Sequence, residues 1–108
     1  MANRIFISFA VEDSYCRNLL VGQARNAKTP FELVDMSVKS PWLDSWKTRC
    51  RTKIKGCDGV IALVSRNTAR AAGQLWEVRC ARAEGVPVRG IYSSSTSRPM
   101  FLRPNLRE

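Results

Sequence analysis

Asp58-Gly59-Val60-Ile61-Ala62-Leu63-Val64-Ser65 is a continuous apolar run bracketed by polar and turn residues. Its length suits a strand. Its lack of alternation suits burial on both faces, the environment of a central parallel strand. Immediately upstream, residues 44–56 carry the clearest amphipathic pattern in the chain. Trp46, Cys50, Ile54 and Cys57 fall on one stripe, with Lys47, Arg49, Arg51, Lys53 and Lys55 around the rest. Asp44 or Ser45 is placed to cap that helix. Downstream, a loop from Arg66 to Gly73 leads to a predicted helix over 74–84 that Gly85 ends. Val86-Pro87-Val88-Arg89-Gly90-Ile91-Tyr92 follows as a strand whose proline and glycine suit a sheet edge.

The N-terminal half repeats the alternation. Arg4-Ile5-Phe6-Ile7-Ser8-Phe9 is a short apolar strand. Residues 13–25 have helical spacing, with Tyr15, Leu19 and Leu20 on one face, Val21 and Ala24 beside them, and Asp13 or Ser14 as N-cap. After a turn at Asn26-Ala27-Lys28-Thr29-Pro30, Phe31-Glu32-Leu33-Val34-Asp35 alternates apolar and polar, as a strand with one more exposed face does. Met36 to Leu43 is a polar loop containing Pro41. The order βαβαβαβ implies an α/β, flavodoxin-like three-layer fold with a mostly parallel central sheet of four to five strands. Residues 1–92 form this domain, and residues 93–108 read as a Ser/Arg/Pro-rich loop or tail.

A chain of 108 residues supports one small core. No apolar run approaches the ~18 residues needed to span a bilayer. Met1-Ala2-Asn3-Arg4 leads straight into a strand without the marks of a signal peptide, so a cytoplasmic protein with no membrane partner is expected. The four cysteines, Cys16, Cys50, Cys57 and Cys80, contain no C-x-x-C pair and are expected to be buried, reduced thiols. Histidine is absent, which leaves zinc sites and Ser-His or Cys-His nucleophiles without support. Acid–base work would fall to Asp, Glu, Lys, Tyr or Cys. The net charge of +9 favours polyanionic partners. The basic run at 47–55 reads either as a nucleic-acid face or as a solvated helix face. No aromatic ring interleaves with it for base stacking, so nucleic acid is not the expected partner.

In an open α/β sheet, the loop after the first strand lies at the edge where ligands bind. Here that loop brings Ser8, Phe9, Glu12 and Asp13. No G-x-x-x-x-G-K loop exists, and no G-x-G-x-x-G follows the first strand. Glu12-Asp13 would match the acidic pair of a phosphorelay receiver, but the third strand ends in Ser65 where a receiver needs its phospho-accepting aspartate.

Taken together, the pieces resemble a TIR-like domain of the Thoeris antiphage type. The resemblance begins with Arg4-Ile5-Phe6-Ile7-Ser8-Phe9 and continues through Asn18-Leu19-Leu20-Val21-Gly22-Gln23-Ala24. It then takes in Pro30-Phe31-Glu32-Leu33 with Asp35, and Ser37-Val38-Lys39 leading to Trp46-Lys47. It ends with Gly73-Gln74-Leu75-Trp76-Glu77-Val78 and Ala81-Arg82-Ala83-Glu84-Gly85. The resemblance implies that Glu77 is the catalytic carboxylate of an enzyme that consumes NAD as substrate, with no cofactor and no metal. It implies that Ser8 and Phe9 help form the nucleotide pocket, with Asp13 on the same edge and Asp35 and Trp42 also binding substrate. Trp42 would stack on adenine, whereas Trp46 belongs to the apolar stripe of the core. Cleaving the nicotinamide–ribose bond makes an oxocarbenium-like transition state that a carboxylate can stabilise. Many TIR enzymes carry tryptophan four residues before the glutamate, and this chain has Gly73 there. The further implications are a cyclic ADP-ribose-type signal, a downstream effector that senses it, and self-association through TIR surfaces. A non-catalytic TIR-like adaptor is the alternative. From spacing alone, Glu77 falls in the first turn of its helix, where an acid stabilises the dipole by about 0.3–1 kcal/mol.

Overall fold

The computed structural model describes residues 3–26, 31–36 and 39–92. The chain runs β1 (Asn3–Ser8), α1 (Ser14–Asn26), β2 (Phe31–Val34), α2 (Asp44–Lys55), β3 (Gly59–Val64), α3 (Ala72–Ala83) and β4 (Val88–Tyr92). Single 3₁₀ turns at Val11–Asp13 and Thr68–Arg70 precede α1 and α3. The turn residues 27–30, Ser37-Val38 and the tail 93–108 lie outside the described residues.

The strands form one parallel sheet in the order β2-β1-β3-β4. Chain order reverses between β1 and β3, because the first crossover goes one way and the later ones the other. Ligands bind outside the carboxyl ends of the strands at such a switch point. The apolar run after Asp58 is β3, paired on both sides, and the glycine-bearing β4 is an edge strand.

Period-two alternation sends neighbouring residues of β1 to opposite faces. Phe6 joins a core with Trp46, Cys50 and Ile54 of α2, Val60 of β3, and Cys80 and Ala81 of α3. Ile7 joins a second core with Phe9 and Leu63, against Cys16, Leu20 and Val21 of α1. Helices therefore cover both faces, giving the flavodoxin-like three-layer arrangement. Trp46 and Trp76 meet edge to face at 5.4 Å, joining α2 to α3. Cys50, Cys57 and Cys80 are buried and Cys16 is half-buried, with no disulfide between any of them. Gly85 closes α3 at φ +75°, with the Val86 N–H on the Ala81 carbonyl at 2.9 Å and the Gly85 N–H on the Arg82 carbonyl at 3.1 Å. This left-handed turn is the reason a glycine is needed there.

Several local expectations are corrected. Tyr15 is 73% exposed rather than packed, because α1 turns Cys16 and Leu20 inward instead. Ser14 does not cap α1; its hydroxyl donates back to the Val11 carbonyl at 2.7 Å. Asp13 is diverted to Ser65 and Asn67 of the loop after β3. Neither Asp44 nor Ser45 caps α2: the Leu43 carbonyl accepts the Lys47 N–H, which makes Leu43 the cap position and Asp44 the first helical residue. The Asp44 carboxylate then stands in the first turn, at the positive end of the helix dipole. Helix α3 begins at Ala72, two residues early, so Glu77 occupies its second turn rather than its first. No described helix is long and apolar enough to cross a membrane.

Candidate functional site

The site lies at the carboxyl ends of β1 and β3, where the switch point predicts it. Ser8 ends β1, and its hydroxyl donates to Glu77 Oε1 at 2.8 Å. Gln74, one turn earlier on α3, donates from Nε2 to the Ser8 carbonyl at 3.1 Å and to the Leu63 carbonyl at 2.8 Å. It thereby ties the last turns of both central strands to the helix that carries Glu77. The Gln74 Oε1 atom is buried without a hydrogen-bond partner.

Lys39 completes the arrangement from the loop between β2 and α2. Its Nζ donates to Glu77 Oε2 at 2.7 Å. The two side chains are 5% and 0% exposed. The same ammonium lies 4.1 Å from the centroid of the Phe9 ring. Its stem passes so close to α3 that a Cβ on Gly73 would lie 2.9 Å from Lys39 Cβ. Burial pushes the Glu77 carboxyl up to about 7, against the lowering pull of the Lys39 charge and the hydrogen bonds from Lys39 and Ser8. Asp35 adds a smaller upward push.

An open cleft of about 180 Å³ lies above this pair. Phe9, Lys39, Trp42, Arg70, Gly73 and Gln74 are among the residues that line it. Trp42 is 73% exposed. The wall also contains the start of α3, where no side chain caps the helix.

The residues expected from sequence separate into two groups. Ser8, Phe9 and Glu77 come together at one point, and Trp42 lines the cleft over them. Asp13 and Asp35 do not line it. Asp13 accepts from Ser65 Oγ at 2.5 Å and from Asn67 Nδ2 at 2.9 Å, tying the loop after β1 to the loop after β3. Ser65 Oγ also accepts the Asn67 N–H at 3.0 Å, so Ser65 serves the loop rather than the cleft. Asp35 pairs with Arg17 at 2.7 Å, and its carbonyl accepts from Lys53 at 3.0 Å. Sequence reasoning assigned no role to Lys39, Gln74 or Arg70. Gly73 was the available signal: a bare position four residues before Glu77 leaves room for another side chain. Among the described residues, no group of three or more His, Cys, Asp or Glu could hold a metal ion.

In comparisons with known proteins, no family model matches this chain, and no curated protein matches it.

Proposed function

We propose that the chain is a TIR-like enzyme that cleaves the nicotinamide–ribose bond of NAD. One observation carries the reading: the Glu77 carboxylate is held by the Ser8 hydroxyl at the carboxyl edge of β1, beneath a cleft at the switch point of the sheet. As the bond to nicotinamide lengthens, positive charge develops on the ribose. A fixed carboxylate in a dry site stabilises that charge far better than water would. Ser8 holds one oxygen of Glu77, the Phe9 ring walls the pocket, and Trp42 offers a face for adenine. Arg70 and the uncapped start of α3 favour the phosphates. Water attack would yield ADP-ribose. Attack by an adenine nitrogen or a ribose hydroxyl would yield a cyclic isomer, the outcome that suits a signalling nucleotide read by a downstream effector in antiphage defence. In this reading the protein acts in the cytoplasm and self-associates when active. The test is nicotinamide release from NAD at high protein concentration, with Glu77→Gln as control. Equal release by both proteins would remove Glu77 from the mechanism.

A second reading, a non-catalytic TIR-like adaptor, is favoured by the sealing of Glu77 by Lys39. There the exposed Trp42 and Leu43 would serve contact with other domains. Absence of nicotinamide release from an assembled protein, with partner binding lost on Trp42→Ala, would select it.

A further inference from the structure

We infer that Lys39 is an internal, displaceable occupant of a site for a flat organic cation, formed by the Glu77 carboxylate, the Phe9 ring and the space above Gly73. A carboxylate and an aromatic face converging on one point are the two elements that recognise a cation in a desolvated pocket. Both are satisfied here by the chain's own ammonium, at 2.7 Å from Glu77 Oε2 and 4.1 Å from the Phe9 centroid.

Gly73 is the independent sign that this position is shaped around an occupant. It is the second residue of α3, in the helix's first turn. It has no left-handed backbone angle that would require glycine. What its missing Cβ provides is room for the Lys39 stem, which a methyl group there would meet at 2.9 Å. Lys39 itself lines the open cleft. Glu77 lies behind it, fully buried. A ligand arriving through the cleft therefore meets Lys39 before Glu77. Rotation of one flexible side chain would vacate the space between carboxylate and ring.

The ligand class follows from that space. A planar, permanently charged ring such as a pyridinium would lie over Phe9 with its positive charge toward Glu77. The identification of that ring with the nicotinamide of NAD rests on the function proposed above; the cation site does not. Lys39 then acts as a competitor built into the fold, and activity depends on its displacement.

The experiment is calorimetric titration of 1-methylnicotinamide, a pyridinium cation, into wild type, Lys39→Ala, Lys39→Ser and Lys39→Ala/Glu77→Gln. Neutral nicotinamide is the control ligand, and circular dichroism checks that each variant is folded. Lys39→Ala is expected to bind the cation about tenfold tighter than wild type, with no such gain for nicotinamide. Adding Glu77→Gln should remove the gain. Lys39→Ser, which likewise removes the ammonium while leaving Glu77 and Phe9 in place, should shift affinity in the same direction. Folded Lys39→Ala and Lys39→Ser proteins with no gain, or an equal gain for the neutral ligand, would overturn the inference and leave an ordinary structural ion pair. NAD cleavage separates the two proposals. Cation binding without nicotinamide release would sink the enzymatic reading alone. Release without any gain in cation binding would sink the inference alone.

Discussion

Two carboxylates are buried at the same edge of the sheet, and their surroundings differ in kind. Asp13 is held by neutral donors, the Ser65 hydroxyl and the Asn67 amide, both from the loop after β3. Glu77 is held by one neutral donor, Ser8, and one cation, Lys39, which reaches in from the loop before α2. Asp13 joins two loops that follow adjacent strands, and nothing in its network opens on the cleft. Glu77 sits directly behind a cleft-lining residue whose removal would leave its charge without a counter-ion. A buried carboxylate that loses its cation must find another or take up a proton. The first arrangement is a staple. The second can be exchanged for a ligand.

The largest expected difference between the two is catalytic. Glu77→Gln removes the charge while keeping size and most hydrogen-bonding capacity. Nicotinamide release should fall by about 10²–10³-fold, the range lost when one preorganised electrostatic stabiliser is removed. Asp13→Asn should change the rate of nicotinamide release little under the same assay. If the two variants lose activity equally, the distinction between staple and site fails.

The next effect is on stability against pH. The Glu77 carboxyl is raised from 4.5 to about 7, chiefly by burial. Between those values the native chain keeps a proton that the unfolded chain has released. The native state therefore binds more protons, and stability falls as pH rises through that window. The contribution is fully present below 4.5 and lost above about 7. Its size is on the order of 3 kcal/mol. Denaturant midpoints of wild type measured against Glu77→Gln from acid to neutral pH should diverge across this range. Parallel curves would mean that Lys39 holds Glu77 ionised throughout.

A smaller loss is expected at the staple. Asp13→Ala strips the acceptor from Ser65 and Asn67 and should cost about 1–3 kcal/mol in chemical denaturation. The KM for NAD should stay unchanged, because Asp13 does not line the cleft. A raised KM with unchanged stability would return Asp13 to the substrate-binding role first expected of it.

The layers of the fold were legible because hydrophobic period follows from burial. The unbroken run of β3, the alternation of β2 and the stripe of α2 each report which faces are covered. Helix starts were not legible at the same level. Asp44, Asp13 and Ser14 all looked like caps, yet Leu43 takes the cap position of α2, Asp13 is drawn to Ser65, and Ser14 bonds back to Val11. Competition among nearby acceptors decides such contacts, and sequence spacing does not carry it. The meeting of Ser8 with Glu77 across 69 positions was anticipated only through resemblance to a family. Lys39 was invisible as a partner for a related reason: its contact with Glu77 depends on where a loop lies in space. The one local trace was negative, the missing side chain at Gly73.

Trp42 offers the finest test, because stability and function should separate there. Its side chain is 73% exposed, so truncation removes little buried area. Surface substitutions of this kind stay within about 0.5 kcal/mol. A ring that stacks on a base is worth about 1–3 kcal/mol to binding, which corresponds to a rise in KM of about five- to 150-fold. Trp42→Ala should therefore keep the wild-type denaturation midpoint, keep kcat close to wild type, and raise KM for NAD. Trp42→Phe, which retains an aromatic face, should recover most of the loss. A fall in kcat that deepens on dilution of the protein would instead place Trp42 in a contact between copies, and the cleft above Glu77 would then have lost its adenine wall.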